Sequence, residues 1–435
     1  EHLAWYLYDF GNSAYAAVVL LAVYSVYFKG QVVGGAMGSR LWGVSVGIAM
    51  LVVALISPVL GAIADFSGVK KRFLFVFTLM ACGFTALLFF VREGDVLLGM
   101  ALFILAEIGY RSAQVFYNSL LPEIAELGEI GKISGTGWAV GSAGGVLCLF
   151  IILPLIMAFE GTFMVRLSLV ITAAYFALAT IPLFVGLKER AEPQPLPAGE
   201  NYVTMGFKRA WETLRAVGDY REFVRFVISF LIYNDGVMMA MNFASIIGAV
   251  LFGMEQQQLI VFVILVQVTN VIGAYTLGHM VDRLGGKRTL VTSILLMVVA
   301  IILMFFTPNA TVFYFVGAIA GFAMAGIQSV SRTMVGILSP EGRSAEFFGF
   351  FAVAGRTSSF IGRAVYGGVA YRVAQFYERT LGFAALDAEQ AGQRAAILSI
   401  GVFLLLGLSI LTTVNERRNR ERAQKGAESR KLAGV

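Results

Sequence analysis

Read as apolar and polar positions, the chain is a series of long apolar runs separated by short polar breaks. A helix needs about 20 mostly apolar residues to cross a bilayer. Twelve runs qualify, near 4–28, 41–64, 72–91, 96–119, 133–155 and 163–187, then 222–250, 257–281, 288–307, 311–335, 346–374 and 395–414. The widest polar break, 188–221, contains "KERAEPQPLPAGE" and the amphipathic stretch "GFKRAWETLRAVGDY". Its prolines and mixed charges mark a linker. The pattern predicts an all-α polytopic membrane protein with twelve transmembrane helices in two six-helix bundles. The N-terminal bundle covers 1–187, a cytoplasmic linker with an amphipathic helix 188–221, the C-terminal bundle 222–414 and a basic cytoplasmic tail 415–435. The first run lacks the basic start and small-residue cleavage site of a signal peptide, so it is read as a retained helix.

Composition agrees. Apolar residues make up 58% of the 435 and charged ones 14%, against about 45–50% and 25% in soluble domains; the mean hydropathy is +0.79. A net charge of +6 raises the question of nucleic acid, but the cations sit beside apolar runs. Lys70, Lys71 and Arg72 follow one, Arg283, Lys287 and Arg288 another, and the tail "NERRNRERAQKGAESRK" a third. That is the positive-inside signal; it predicts cytoplasmic termini in a cell (inner) membrane, with no nucleic-acid partner. Cys82 and Cys148 both lie inside apolar runs and give no disulfide framework. With only His2 and His279 as histidines, neither a metal site nor a Cys–His nucleophile has materials. A phosphate-binding Walker loop is absent from the sequence, so no cofactor is expected and the chain does not read as an enzyme.

The halves repeat one another. "GAIADFSGVKKR" follows the second run and "GHMVDRLGGKR" the eighth. Each has a glycine (Gly61, Gly278), an aspartate four residues on (Asp65, Asp282), a glycine three further (Gly68, Gly285), and then a basic pair. The exits of the fourth and tenth runs match as "LLPE" and "LSPE", ending at Glu123 and Glu341. Paired repeats of this kind occur in transporters that rock two bundles about a central site.

The Gly-x-x-x-Asp-x-x-Gly loop resembles the signature between helices two and three of the major facilitator superfamily. The resemblance implies that Asp65 latches against the start of the eleventh helix and Asp282 against the fifth, where a carboxylate is favoured by the helix dipole. Read without it, these loops are tight turns carrying orienting charges. "WYLYDFGNSAYAAVV", "VFYNSLLPEIA", "SGTGWAVGSAGG" and "EFFGFFAVAGR" together resemble the vacuole-effluxer family, whose fungal member exports amino acids from the vacuole. Phe10 stands where the family pattern has tryptophan, and Arg363 where it has proline, so Arg363 takes no role from it. "RSAQ" (111–114) resembles the Arg-x-x-Gln motif of proton-linked members, with Val115 replacing the usual glycine.

Ionised side chains at mid-bilayer cost about 2.5–3.5 kcal/mol and should face a cavity or a partner. Glu107, Arg111, Gln114 and Asn118 lie at i, i+4, i+7 and i+11, on one stripe of the fourth helix. Interhelical hydrogen bonds, worth about 0.6 kcal/mol each, compensate poorly for two buried charges, which favours cavity lining. Asp9 and Asn12 sit early in the first helix, with Asp9 expected to face the cavity. Asn234, Asp235 and Asn242 lie in the seventh, where Gly236 is expected to loosen the helix. Arg356 lies in the eleventh, a bidentate carboxylate partner or an internal ion pair. Arg332 is read as snorkelling and His279 as packed.

Both signs of charge suit a zwitterion, and the amino-acid class comes from the resemblance. The expectation is a monomeric alternating-access transporter for a small polar or zwitterionic solute, with coupling to a proton gradient as an option. Arg356 would take the carboxylate, and Asp235 or Asp9 the amine or a proton. The alternative is export of lipophilic compounds or lipids, to which "GWAVGSAGG" points by its loose likeness to an antiporter motif.

Overall fold

The computed structural model describes residues 1–126, 128–159, 161–191, 193–194, 201–215, 220–306 and 309–416; side chains at 35, 36, 214, 245, 256, 257, 260 and 356–360 lie outside the description. Among the described residues every regular element is a helix. The chain divides into two compact units, one of Glu1–Arg215 with Ser339–Val353 and one of Ala216–Leu338 with Ala354–Val435.

The first unit holds α1 (His2–Val33), α2 (Gly35–Ser67), α3 (Lys70–Leu87), α4 (Val96–Ser119), α5 (Ile130–Ala158), α6 (Thr162–Gly186) and a separate linker helix, Tyr202–Arg215. The second holds α7 (Arg221–Phe252), α8 (Gln256–Leu284), α9 (Gly286–Phe306), α10 (Ala310–Leu338), most of α11 (Ser344–Leu381) and α12 (Ala385–Thr412). Among the described residues eleven helices are long and apolar enough to cross a membrane, and α11 carries a shorter apolar segment, Ser344–Gly355.

The helices differ from the apolar runs mainly at their ends. α12 starts at Ala385 rather than 395 because Ala385–Arg394 is a polar stretch of nearly three helical turns that hydropathy discounts. α1 is α-helical to Tyr15, widens into π turns at Ala16–Ala22, returns to an α turn at Tyr24–Tyr27 and ends in π turns at Phe28–Val33. Side-chain period does not encode which carbonyl a backbone N–H selects.

In the first unit α1 is the central post. Trp5 and Tyr8 stack on Tyr117 of α4 with ring centroids 4.5 and 4.7 Å away. Trp5 Nε1 donates to the Tyr117 carbonyl at 3.1 Å, and the Tyr117 hydroxyl donates to the Trp5 carbonyl at 3.1 Å. The Tyr8 hydroxyl bonds Thr78 of α3 at 2.7 Å. On its other side α1 lies directly on α5: a Cβ at Gly144 would strike the Phe10 carbonyl, and one at Gly141 would come within 2.9 Å of the Asp9 carboxyl carbon. Small residues let helix backbones approach closely where lipid supplies no hydrophobic drive.

The repeat also extends to the bundle exits. The Lys71 N–H donates to Glu189 at 3.1 Å and its ammonium to the Leu187 carbonyl at 2.6 Å. In the second unit the Lys287 N–H donates to Glu416 at 3.0 Å and its ammonium to the Thr412 and Val414 carbonyls at 2.6 and 2.7 Å. Each unit thus uses a carboxylate to cap a helix N-terminus and a lysine to satisfy the orphan carbonyls where its last helix ends. Burial holds the Glu189 carboxyl above the usual carboxylate range.

Gly144→Val should push α1 off α5 and lower the detergent-solubilised protein's stability by about 1–3 kcal/mol. Gly83→Ala, at a glycine with open space around it, should leave the thermal midpoint unchanged or slightly higher.

Candidate functional site

A polar cluster lies at the end of α2, in which the buried Glu123 Oε2 has no hydrogen-bond partner among the described residues. Gly61 and Gly349 let α2 and the first turns of α11 meet backbone to backbone: a Cβ at Gly61 would strike Ala345, and one at Gly349 would reach 2.7 Å from the Ser57 carbonyl. One turn beyond Gly61, Asp65 accepts the N–H groups of Ala345 at 3.1 Å and Glu346 at 2.8 Å. The carboxylate thereby satisfies two orphan donors and sits at the positive end of the helix dipole. Gly68 then closes α2 in the left-handed region at φ 66°, where a side chain would be strained.

Lys70 follows at once. Its ammonium, 1% exposed, lies 2.8 Å from Asp65, 2.6 Å from Glu123 and 2.8 Å from the Ser344 hydroxyl. Ser344 in turn donates to the Ser119 carbonyl at 2.8 Å. The glutamate of "LLPE" is thus a lysine ligand. Behind this layer, buried Glu346 is held by Arg343 at 2.8 Å, by Arg209 at 3.7 Å and by the Thr213 hydroxyl. Sequence reading treated Lys70 as an orienting charge and gave Glu123 and Glu346 no role. The signal for Lys70 was its place one turn after a buried aspartate. Asp282, the repeat counterpart of Asp65, is half-buried in the last turn of α8.

The second constellation is on α4. From Ala106 to Leu121 every residue is buried except Arg111, Gln114 and Asn118, so an accessible polar stripe runs down an otherwise covered helix. Arg111 Nε bonds Glu107 Oε1 at 2.7 Å, with the arginine side chain 25% exposed and the glutamate fully buried. Glu107 Oε2 and the buried Tyr15 hydroxyl each lack a well-formed hydrogen bond among the described residues, and the hydroxyl lies beside the Glu107 carboxylate. Tyr15 stacks on Tyr110 at 4.3 Å, Arg111 lies over the Tyr110 ring at 5.2 Å, and Gln114 donates to the Tyr110 hydroxyl at 3.0 Å. These two tyrosines took no role from the sequence pattern.

Asp9 and Asn12 are 7% and 3% exposed. The Asp9 carboxylate lies against Gly141 of α5 and accepts a long 3.4 Å bond from Asn12. The side of α1 that carries it is therefore a packing side within the first unit.

In the second unit Asn234 and Asp235 are 3% and 4% exposed. Gln328 of α10 donates to Asn234 at 3.2 Å. Gly362 of α11 brings its backbone against Asp235: a Cβ there would lie 3.1 Å from Asp235 Oδ1, which has no hydrogen-bond partner among the described residues. Asn242, seven residues on, is exposed. α7 runs unbroken through Gly236, which serves instead to admit Leu404 and the Ile400 carbonyl of α12. The Arg356 side chain lies outside the described residues. Arg332 is 5% exposed. His279 is half-buried against the Tyr275 ring and carbonyl.

Residues 42–424 match the family described as "Vacuole effluxer Atg22 like". The chain belongs to that family. It is 26% identical to the uncharacterized MFS-type transporter YxiO of Bacillus subtilis (strain 168), over 97% of this chain and 96% of that one. Autophagy-related protein 22 of Yarrowia lipolytica is 26% identical over 54% of this chain and 45% of its own length. Among solved structures, the major facilitator superfamily proton:xylose symporter XylE aligns with a TM-score of 0.68 at 14% identity, covering 95% of each chain. A bacterial homologue of the iron transporter ferroportin, outward-facing, also reaches 0.68, at 13% identity over 95% of this chain and 98% of that one.

These likenesses establish the twelve-helix major facilitator fold. This Atg22-like protein is a multi-pass membrane transporter, not an enzyme.

Asp65→Ala would leave Lys70 and two helix N–H groups short of a buried partner, a loss of about 3–5 kcal/mol. A fall in the unfolding midpoint in detergent, larger than that for Glu123→Ala at the partly exposed end of the cluster, would show it.

Proposed function

We propose that this transporter is a secondary carrier for a small polar or zwitterionic solute, with an amino acid or a related carboxylate as substrate class, working by alternating access. The observation that supports it most is the α4 stripe: a buried glutamate with one unpartnered oxygen, paired to an arginine that stays partly accessible, followed by Gln114 and Asn118 on the same side. Guanidinium groups bind carboxylates bidentately. The open Glu107 oxygen is suited to an ammonium or a proton, since a buried acceptor left unmade is costly. Asp235, with its own unpartnered oxygen, and Asn234 offer the second unit's polar contacts, and Arg356 is assigned to the substrate's carboxylate there. Asn242 completes the candidate set, while Asp9 and Asn12, packed beside α5, are assigned to bracing α1.

The Asp65 cluster serves in this reading as the gating latch, with Asp282 as its repeat counterpart. The basic clusters support cytoplasmic termini in the cell membrane, and the carrier is taken to work as a monomer. The amino-acid class rests on the resemblance to the vacuole-effluxer family. The α5 glycines that gave lipophilic export its support are taken up in packing α1.

Counterflow of a radiolabelled amino-acid panel into proteoliposomes tests this. Arg111→Ala should cut the rate about 10- to 100-fold, as expected for a lost charge-assisted bond. Glu107→Gln should keep counterflow but lose stimulation by a proton gradient. Wild-type rates in Arg111→Ala, or no amino acid exchanged by the native protein, would overturn the reading.

A further inference from the structure

The linker helix Tyr202–Arg215 has two different apolar faces. Gly206, Ala210 and Thr213 form the docking face: a Cβ at Gly206 would strike Ile63 and lie 3.2 Å from the Val59 carbonyl, Ala210 is 5% exposed, and Thr213 bonds Glu346. Arg209 stacks over Phe66 at 5.9 Å, and Tyr202 meets the same ring edge-on at 6.1 Å. The helix is thus fixed to α2.

About 90° around the helix, a second stripe is uncovered. Val203, Phe207 and Trp211, at i, i+4 and i+8, are 55%, 60% and 56% exposed and share one side. On the border away from the docking face stand exposed Lys208 and Arg215. The Arg215 guanidinium lies over the Trp211 ring at 5.0 Å.

Depth follows from length. α2 has 33 residues and is therefore about 50 Å long, against a hydrocarbon core of about 30 Å. Val59, Ile63 and Phe66 fall within its last 12 Å or so, the end adjoining the basic Lys70–Arg72 cluster. A helix docked there lies at headgroup level, where tryptophan is favoured and an apolar stripe bordered by cations sits in the interface.

We propose that the linker helix is a membrane-surface element that binds anionic phospholipid headgroups through Lys208 and Arg215, with Val203, Phe207 and Trp211 seated at the acyl boundary. An anionic headgroup is complementary in charge to these two exposed cations. A second copy of this chain would have to offer that charge at a surface that continues into α2. The same helix holds Glu346 through Thr213 and Arg209, so lipid contact bears on the residues behind the Asp65 cluster.

The test places a nitroxide at Phe207→Cys, and separately at Val203→Cys and Glu212→Cys, in the full chain with Cys82→Ala and Cys148→Ala. Vesicles contain phosphatidylcholine alone or with 30 mol% phosphatidylglycerol. In the anionic vesicles, oxygen should outcompete a water-soluble nickel chelate at 207 and 203 by about tenfold relative to 212. Lys208→Glu with Arg215→Glu should abolish the gain from phosphatidylglycerol, expected at about fivefold per cation, while Lys208→Arg should keep it. Equal chelate access in both lipids, or an unchanged gain in the charge-reversed protein, would overturn the proposal. Protection lost on dilution to one copy per vesicle would also overturn it, in favour of self-association. The label reports without any transport step, so failure here is separate from failure of the substrate reading.

Discussion

A carboxylate buried against a helix N-terminus organises the first unit. Asp65 gives its two oxygens to the N–H groups of Ala345 and Glu346 and shares one with Lys70. Desolvating a carboxylate and an ammonium together is costly unless every lone pair and proton is used, and here the cost is met by geometry. Gly61 and Gly349 allow the backbones to touch, Glu123 and Ser344 complete the lysine, and Ser119 completes Ser344. The spacing of the loop motif then has a physical meaning: glycine for approach, aspartate one turn later for the cap, and glycine to end the helix in a left-handed turn.

That cluster places residues from four helices, α2, α3, α4 and α11, in one register. α4 is further tied to α1 by the reciprocal Trp5–Tyr117 hydrogen bonds. A helix braced at this end can carry an unusual load along its length, and α4 does so with a charged pair in a membrane segment. The accessible side of Arg111 and the unpartnered oxygen of Glu107 are affordable only in a scaffold that does not relax around them.

Much of this was legible in the sequence. Membrane helices announce themselves because lipid demands apolar surface and internal hydrogen bonding over a fixed length, so the twelve runs mark the twelve helices. The Asp65 loop and the α4 stripe were visible because their members lie within one or two turns of each other. What stayed hidden depends on partners distant in sequence. Glu189 and Glu416 cap helices that begin 118 and 129 residues earlier, and "LKER" and "VNER" betray that repeat only once the contacts are known. The α5 glycines gave no sign that α1 was their partner, nor did Asp235 that Gly362 lies against it. Asn242 shares a helical side with Asp235 but not its burial, because helical angle alone does not say where neighbouring helices end.

The most direct test of the Asp65 cap is amide hydrogen exchange at Ala345 and Glu346 in the full-length protein in lipid. The account predicts strong protection at both amides in the native protein, reduced about 100-fold or more in Asp65→Ala while the amides of α5 stay protected. Protection at 345 and 346 that survives the loss of the carboxylate would contradict it.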